Sequence, residues 1–299
     1  MNPLHPEILI RSHPLIRLVA LFWLTASTAA NAANAATEEW LYLDNGKLRL
    51  GVNRSAGAAL GWLSESGRDE NILNRFDLGR YVQQSWYGAS DGSDWNGKPW
   101  RWNPVQAGNW QNAPAELTSF SLNGFTIESA SVPVHWATGE LLREVKLRQK
   151  IVLQDFMVRI DYEMDYSGTV THPLQDQELP AVFVNAGYPN LHFIAPGEPE
   201  PKTLVPGWPN ERYEIAQPWV AYTDKTNRGI GILVPGIETI TCYRAEGDPN
   251  NRAKSACSYV APVKQLVIKP GFAYRYTVYL TLGTLPEIRH RFAEKMKSP

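Results

Sequence analysis

The sequence predicts an all-β protein whose antiparallel sheets pack as a sandwich. Three observations carry this: short β-branched and aromatic runs punctuated by turn residues, period-two alternation in the clearest of them, and a helical period only at the end. The strand-like runs are Trp40–Leu43, Leu48–Val52, Phe125–Ile127, Glu144–Leu153, Met157–Tyr166, Ala181–Val184, Trp219–Tyr222, Gly229–Val234, Gln265–Ile268 and Tyr274–Leu282. Between them stand turn signals such as Asp44-Asn45-Gly46, Ser167-Gly168 and Lys269-Pro270-Gly271. The best hairpin is Glu144–Tyr166, where Val145, Leu147, Val158, Ile160, Tyr162 and Met164 alternate with charged residues around Gln154-Asp155, leaving one face wet. In Leu285–Met296, Ile288, Phe292 and Met296 recur at helical spacing.

Residues 1–35 have the form of a secretory leader. Arg11 and Arg17 precede the short apolar run Leu18–Leu24, and small residues follow around Ala30 to Ala35. The run is shorter than the roughly 20 apolar residues a membrane span needs, so cleavage near Ala35 and a periplasmic or secreted location are expected, without a stable membrane anchor. Residues 36–299 then read as a single domain, with the proline-rich segment Ala195–Pro209 as an ordered loop within it. A monomer is expected. Cys242 and Cys257, separated by a polar loop, would pair as a disulfide in an oxidising compartment.

The net charge of −1 gives no steering field for a polyanion. Nucleic acid is not expected as a ligand on a second ground, since the aromatic stretch described next carries only Arg75, Arg80, Lys98 and Arg101 against Asp77, Asp91 and Asp94, too little basic charge to offset phosphate. No GxSxG, GxGxxG or Walker pattern is present, and the histidines that follow the leader form no HExxH or HxH pair. Neither a metal nor another cofactor is therefore expected.

Residues 71–110 depart furthest from ordinary composition. Five of the eleven tryptophans fall here, Trp86, Trp95, Trp100, Trp102 and Trp110, among Asp77, Arg80, Gln84, Asp94, Asn103, Gln106 and several glycines. Without a helical or alternating period the stretch reads as long loops. Indole faces suit the C–H face of a sugar ring, while amide and guanidinium groups suit its hydroxyls, so these loops predict a saccharide cleft with Trp208 or Trp219 on the opposite wall. The alternative for each tryptophan is core filler.

Glu178, in QDQELPAVFVN at the start of an apolar strand, is the carboxyl best placed to be desolvated and to keep its proton near neutral pH. In a glycoside hydrolase it would be the general acid, with Asp77 or Asp94 as base or nucleophile. In a polysaccharide lyase, Tyr87 or His192 would remove the proton alpha to a uronate carboxyl that Arg80 neutralises. His192 is equally readable as a core histidine. A non-catalytic carbohydrate-binding protein is the third possibility.

The opening EWLYLDNGKLRLGVNRSAGAALGWLSESGRDENILNRFDLGR and the closing IKPGFAYRYTVYLTLGTLPEIRHRF resemble the two ends of galactose-mutarotase-like domains. The middle segments DLGRYVQQSWYG, WNPVQAG and QELPAVFVN resemble an uncharacterised group of secreted bacterial proteins. The resemblance implies a β-supersandwich, shared by aldose 1-epimerases and by domains of polysaccharide lyases and glycoside hydrolases. It also implies a departure: the epimerases carry a catalytic histidine in an Asn-His motif and a late glutamate base. Here no Asn-His pair exists, and the late carboxylates Glu238 and Glu246 have ordinary surroundings.

Overall fold

The computed structural model describes residues 39–297. The leader-like residues 1–35 lie outside them. Two large antiparallel sheets dominate. The nine-stranded sheet is ordered Lys202–Leu204, Asn190–Phe193, Trp219–Thr223, Arg228–Leu233, Ala273–Thr284, Met157–Tyr166, Val145–Gln154, Thr126–Val132, Glu116–Asn123. The seven-stranded sheet is ordered Val134–His135, Pro104–Val105, Gln83–Ser85, His172–Asn185, Cys257–Ile268, Thr239–Ala245, Glu211–Glu214. A three-stranded sheet, Trp40–Asp44, Leu48–Asn53 and Ala59–Glu65, completes the sandwich, and the helix Leu285–Lys297 packs Ile288 and Phe292 against Trp219 and Leu233. The proline-rich segment leaves the nine-stranded sheet after Asn190–Phe193, contributes that sheet's edge strand Lys202–Leu204, and leads on to Glu211–Glu214 at the edge of the seven-stranded sheet.

The predicted hairpin is present. Val145 pairs Tyr166 and Gln154 pairs Met157, and the strand Val145–Gln154 alternates strictly between a buried face and a more exposed one. Its inward side chains, Val145, Leu147, Ile151 and Leu153, join Trp86, Val182, Val184 and Val260 of the other sheet in one core.

The seven-stranded sheet is covered on both sides. One face lies in that common core; the other carries a second apolar cluster, Ala181, Phe183, Cys257, Tyr259, Ala261 and Val263, with Tyr243 and Ala245 against it. Successive side chains of a strand point to opposite faces, so Val182 and Val184 enter the core while Ala181 and Phe183 face the other way.

This geometry overturns the expected disulfide. Cys242 sits opposite Val260 and Cys257 opposite Ala245, three residues apart along the ladder. Odd separation puts the thiols on opposite faces, and indeed Cys242 belongs to the core and Cys257 to the second cluster. Both are free. A bridge needs Cα atoms within about 7 Å and converging Cβ vectors, which this register forbids. The protein is expected to show two alkylatable thiols after denaturation without reductant; an intact mass two protons lighter that reductant restores would contradict the register.

Residues 71–110 are also more regular than expected. A short 3-10 turn, Leu78–Arg80, is followed by the strand Gln83–Ser85 and by a hairpin pairing Ser90–Trp95 with Lys98–Arg101. The hairpin turns at Asn96-Gly97, both in the left-handed region (φ 53° and 72°), with the Asp94 carboxylate accepting the Gly97 N–H at 2.8 Å. Asn-Gly is the pair that such a two-residue turn favours.

Candidate active site

The second face of the seven-stranded sheet is the floor of a cavity of about 560 Å³. Tyr243, Ala245, Cys257, Tyr259, Ala181 and Phe183 form the floor, Trp95, Asn96 and Trp100 of the hairpin form one wall, and Phe76, Asp77, Gly79, Arg80, Trp110, Trp136 and Trp208 are among the residues that form the others. Its aromatic lining is interlocked: Tyr243 stacks on Tyr259 at 4.4 Å, Trp208 meets Tyr243 edge-on at 5.0 Å, and Trp95 meets Trp100 at 4.8 Å and Trp136 at 5.7 Å. The indole N–H groups of Trp95 and Trp110 are buried and have no protein acceptor.

Glu178 reaches this cavity because of an irregularity in its strand. It pairs with Val263, and Val182 pairs with Val260, so four residues on one strand span three on the other. The extra residue falls at Leu179-Pro180, where proline supplies no N–H to the ladder. Without the bulge Glu178 would share the core face of Val182 and Val184; with it, Glu178 and Ala181 both line the cavity.

The carboxyl is half-buried and held by hydroxyls. Tyr87 donates to Oε1 at 3.0 Å, Tyr259 donates to the same oxygen, and the Ser85 hydroxyl also bonds the carboxyl. Gln177 fixes Tyr87 through both backbone groups, accepting its N–H at 2.6 Å and donating to its carbonyl at 3.0 Å. Burial pushes Glu178 above the ordinary carboxylate range, against the opposing pull of the Tyr259, Ser85 and Tyr87 hydroxyls. Burial, then the charge of Glu178, holds the Tyr87 and Tyr259 phenols well above their usual range.

Asp77 lines the same cavity. It caps the 3-10 turn by accepting the Gly79 N–H at 3.0 Å and pairs with Arg80 Nε at 3.2 Å. Burial raises it, with Arg80 pulling the other way. Arg80 also donates to the Ser255 carbonyl, so it is anchored at both ends.

Of the residues singled out from sequence, Glu178, Tyr87, Asp77, Arg80, Trp95, Trp100, Asn103, Trp110 and Trp208 line the cavity. The others do not, and strand parity explains most of them. Gln83, Ser85 and Tyr87 face the cavity; Gln84 and Trp86 between them face the core. Trp86 is fully buried amid Phe272, Tyr274 and Tyr276, and Gln84 spans the core to donate to the Arg148 and Glu163 carbonyls. Likewise Asn103 and Val105 line the cavity while Trp102 and Gln106 turn inward. Trp102 stacks on His172 at 4.0 Å and donates to Glu144, and Gln106 donates to Gln149 at 2.8 Å.

Asp94 belongs to the hairpin turn, outside the lining. His192 is a core histidine: its ring nitrogens bond the Thr203 and Thr223 hydroxyls at 2.9 and 2.8 Å, and burial lowers it to about 4. Trp219 packs under the helix against Phe292. The sequence reasoning missed Tyr259, Tyr243, Trp136 and Ser85. Only Ser85 carried a local signal, its alternation with Gln83 and Tyr87.

Similar structures settle the fold. An aldose 1-epimerase candidate of Escherichia coli K12 superposes with a TM-score of 0.52 at 10% identity, covering 82% of this chain and 99% of its own. A galactose mutarotase-like protein of Lactobacillus casei ATCC 334 gives 0.51 at 9%, covering 82% and 100%. The fold is galactose-mutarotase-like. A protein of Synechocystis sp. PCC 6803 agrees, with a TM-score of 0.50 at 14% identity over 82% and 96% of the two chains. No protein-family model and no curated protein matches the sequence. At such identities the galactose-mutarotase-like scaffold is shared, and the chemistry must be argued from the side chains in the cavity.

Proposed function

We propose that the protein binds a saccharide in the aromatic cavity and hydrolyses one of its glycosidic bonds, with Glu178 as general acid. The observation that carries this is a carboxyl that burial raises above the ordinary range, with both phenol donors on one oxygen, in a cavity walled by indoles. Tryptophan and tyrosine faces such as those of Trp95, Trp100, Trp208 and Tyr243 stack on sugar rings. Protonating a leaving glycosidic oxygen requires an acid whose pKa lies near the working pH. A hydrolase needs a second carboxylate, and Asp77 is the one that lines the same cavity. We further propose that the protein works outside the cytoplasm, on the strength of the leader-like residues 1–35.

The elimination chemistry has less to draw on. His192 is remote and satisfied, and the Tyr87 phenol, buried beside a carboxyl, resists losing its proton. Incubation with a panel of poly- and oligosaccharides separates the readings. New reducing ends without ultraviolet absorbance from an unsaturated uronate are expected. Appearance of that absorbance would establish a lyase instead, and interconversion of anomers without new ends an epimerase. Binding without any product would leave a carbohydrate-binding protein.

A further inference from the structure

A second cavity, also about 560 Å³, adjoins the first, and the two share Tyr87, Trp100, Glu178 and Asn210 as lining. Its character differs. Where the first is aromatic, the second is a groove lined by Arg101, Gln175, Asp176, Arg212, Thr241 and Gln265. We infer that the site takes a linear saccharide of at least two sugar rings, one in the aromatic cavity and the next in the polar groove, with the bond between them at Glu178. This rests on the saccharide reading given above and specifies its substrate as a chain.

Three features support it. Each cavity alone has the size of a small-molecule site, about 300–1,000 Å³, so two contiguous ones exceed what a single sugar ring needs. Glu178 borders both, which is where a general acid must stand to reach the oxygen joining two rings. The groove also carries unused polar capacity. Arg101 donates to Gln175 at 2.7 Å and lies 5.6 Å from the Trp100 ring centroid, and no carboxylate among the described residues pairs with it. Asp176 is committed to Arg212 through Oδ2. The fork-like guanidinium donors of Arg101 suit a ring presenting several hydroxyls.

Ladders of one to five rings test this, using glucose with its α-1,4 and β-1,4 oligomers, the β-1,4-xylose series and the α-1,4-galacturonate series. Each is titrated against tryptophan fluorescence. In the series that binds, affinity is expected to rise about tenfold or more on going from one ring to two or three, the size of one or two hydrogen bonds to charged groups. Arg101→Ala, and separately Gln175→Ala, should flatten that rise to within a factor of about two. Because both side chains reach solvent, thermal melting serves as the check that the fold is intact. A ladder that binds but is flat in chain length, or one unchanged in both variants, overturns the inference and leaves the saccharide reading standing. Absence of binding by every sugar of every length removes both.

Discussion

Glu178→Gln is expected to lower turnover by about 100-fold or more while leaving saccharide affinity nearly unchanged. The substitution keeps the shape and the Oε1 acceptor that Tyr87 and Tyr259 use, and it removes the transferable proton. The pH profile makes the expectation sharper. Glu178 acts as an acid and burial raises it, so wild-type activity should fall as pH rises through its raised value, and that alkaline limb should vanish in the variant. Stability supplies an independent readout. A carboxyl whose folded value is raised contributes fully below its unfolded value, about 4.3, and that contribution is lost as pH rises through the folded value. The glutamine variant never ionises there. It should therefore match wild type at acid pH and melt higher at alkaline pH. A variant with wild-type turnover would sink the hydrolase assignment; one equally stable relative to wild type at both pH extremes would show that burial does not raise Glu178.

The second large effect separates two tryptophans that look alike in sequence. Trp86→Ala should cost about 3–5 kcal/mol of stability, because the ring is fully buried and ringed edge-on by Phe272, Tyr274 and Tyr276. Trp208 is 68% exposed, so Trp208→Ala should change stability by about 0.5 kcal/mol or less. For ligand affinity the order reverses. Trp208→Ala removes an exposed wall of the cavity and should weaken binding by about 1 kcal/mol, the order of one stacking contact. Chemical denaturation and fluorescence titration of the two variants measure both effects. Reversal of either order would mean that the cavity and the core have been assigned to the wrong tryptophans.

Much of the fold was legible because the strands announce themselves. Val145–Gln154 and Met157–Tyr166 have one wet face, so their alternation is visible and their register follows. The seven-stranded sheet hides the same information. Covered on both faces, it makes Gln83 and Gln84, or Ser85 and Trp86, buried neighbours alike, with no contrast in exposure to tell cavity from core. Compositional enrichment therefore located the stretch but chose the inward residues Gln84, Trp86, Trp102 and Gln106 together with the cavity-facing Trp95, Trp100 and Asn103. Glu178 was found through its chemical setting. Its actual orientation depends on a one-residue bulge that no local pattern fixes. The cysteines failed for a related reason: pairing depended on the register between Thr239–Ala245 and Cys257–Ile268, which is set by the whole sheet. The Asn96-Gly97 turn, by contrast, was readable and would have shown that Trp95 and Trp100 ride on a hairpin.

The claim on which the account rests is that the aromatic cavity is where saccharide binds, and indole N–H resonances in a ¹⁵N-labelled sample test it directly. Addition of a saccharide that the protein turns over or binds should move the resonances of Trp95, Trp100, Trp110 and Trp208, whose rings line the cavity. The resonances of Trp86 and Trp219, enclosed in the core and under the helix, should stay in place. A bound saccharide that leaves the Trp95 and Trp110 signals unmoved would contradict the account and put the site elsewhere on the molecule.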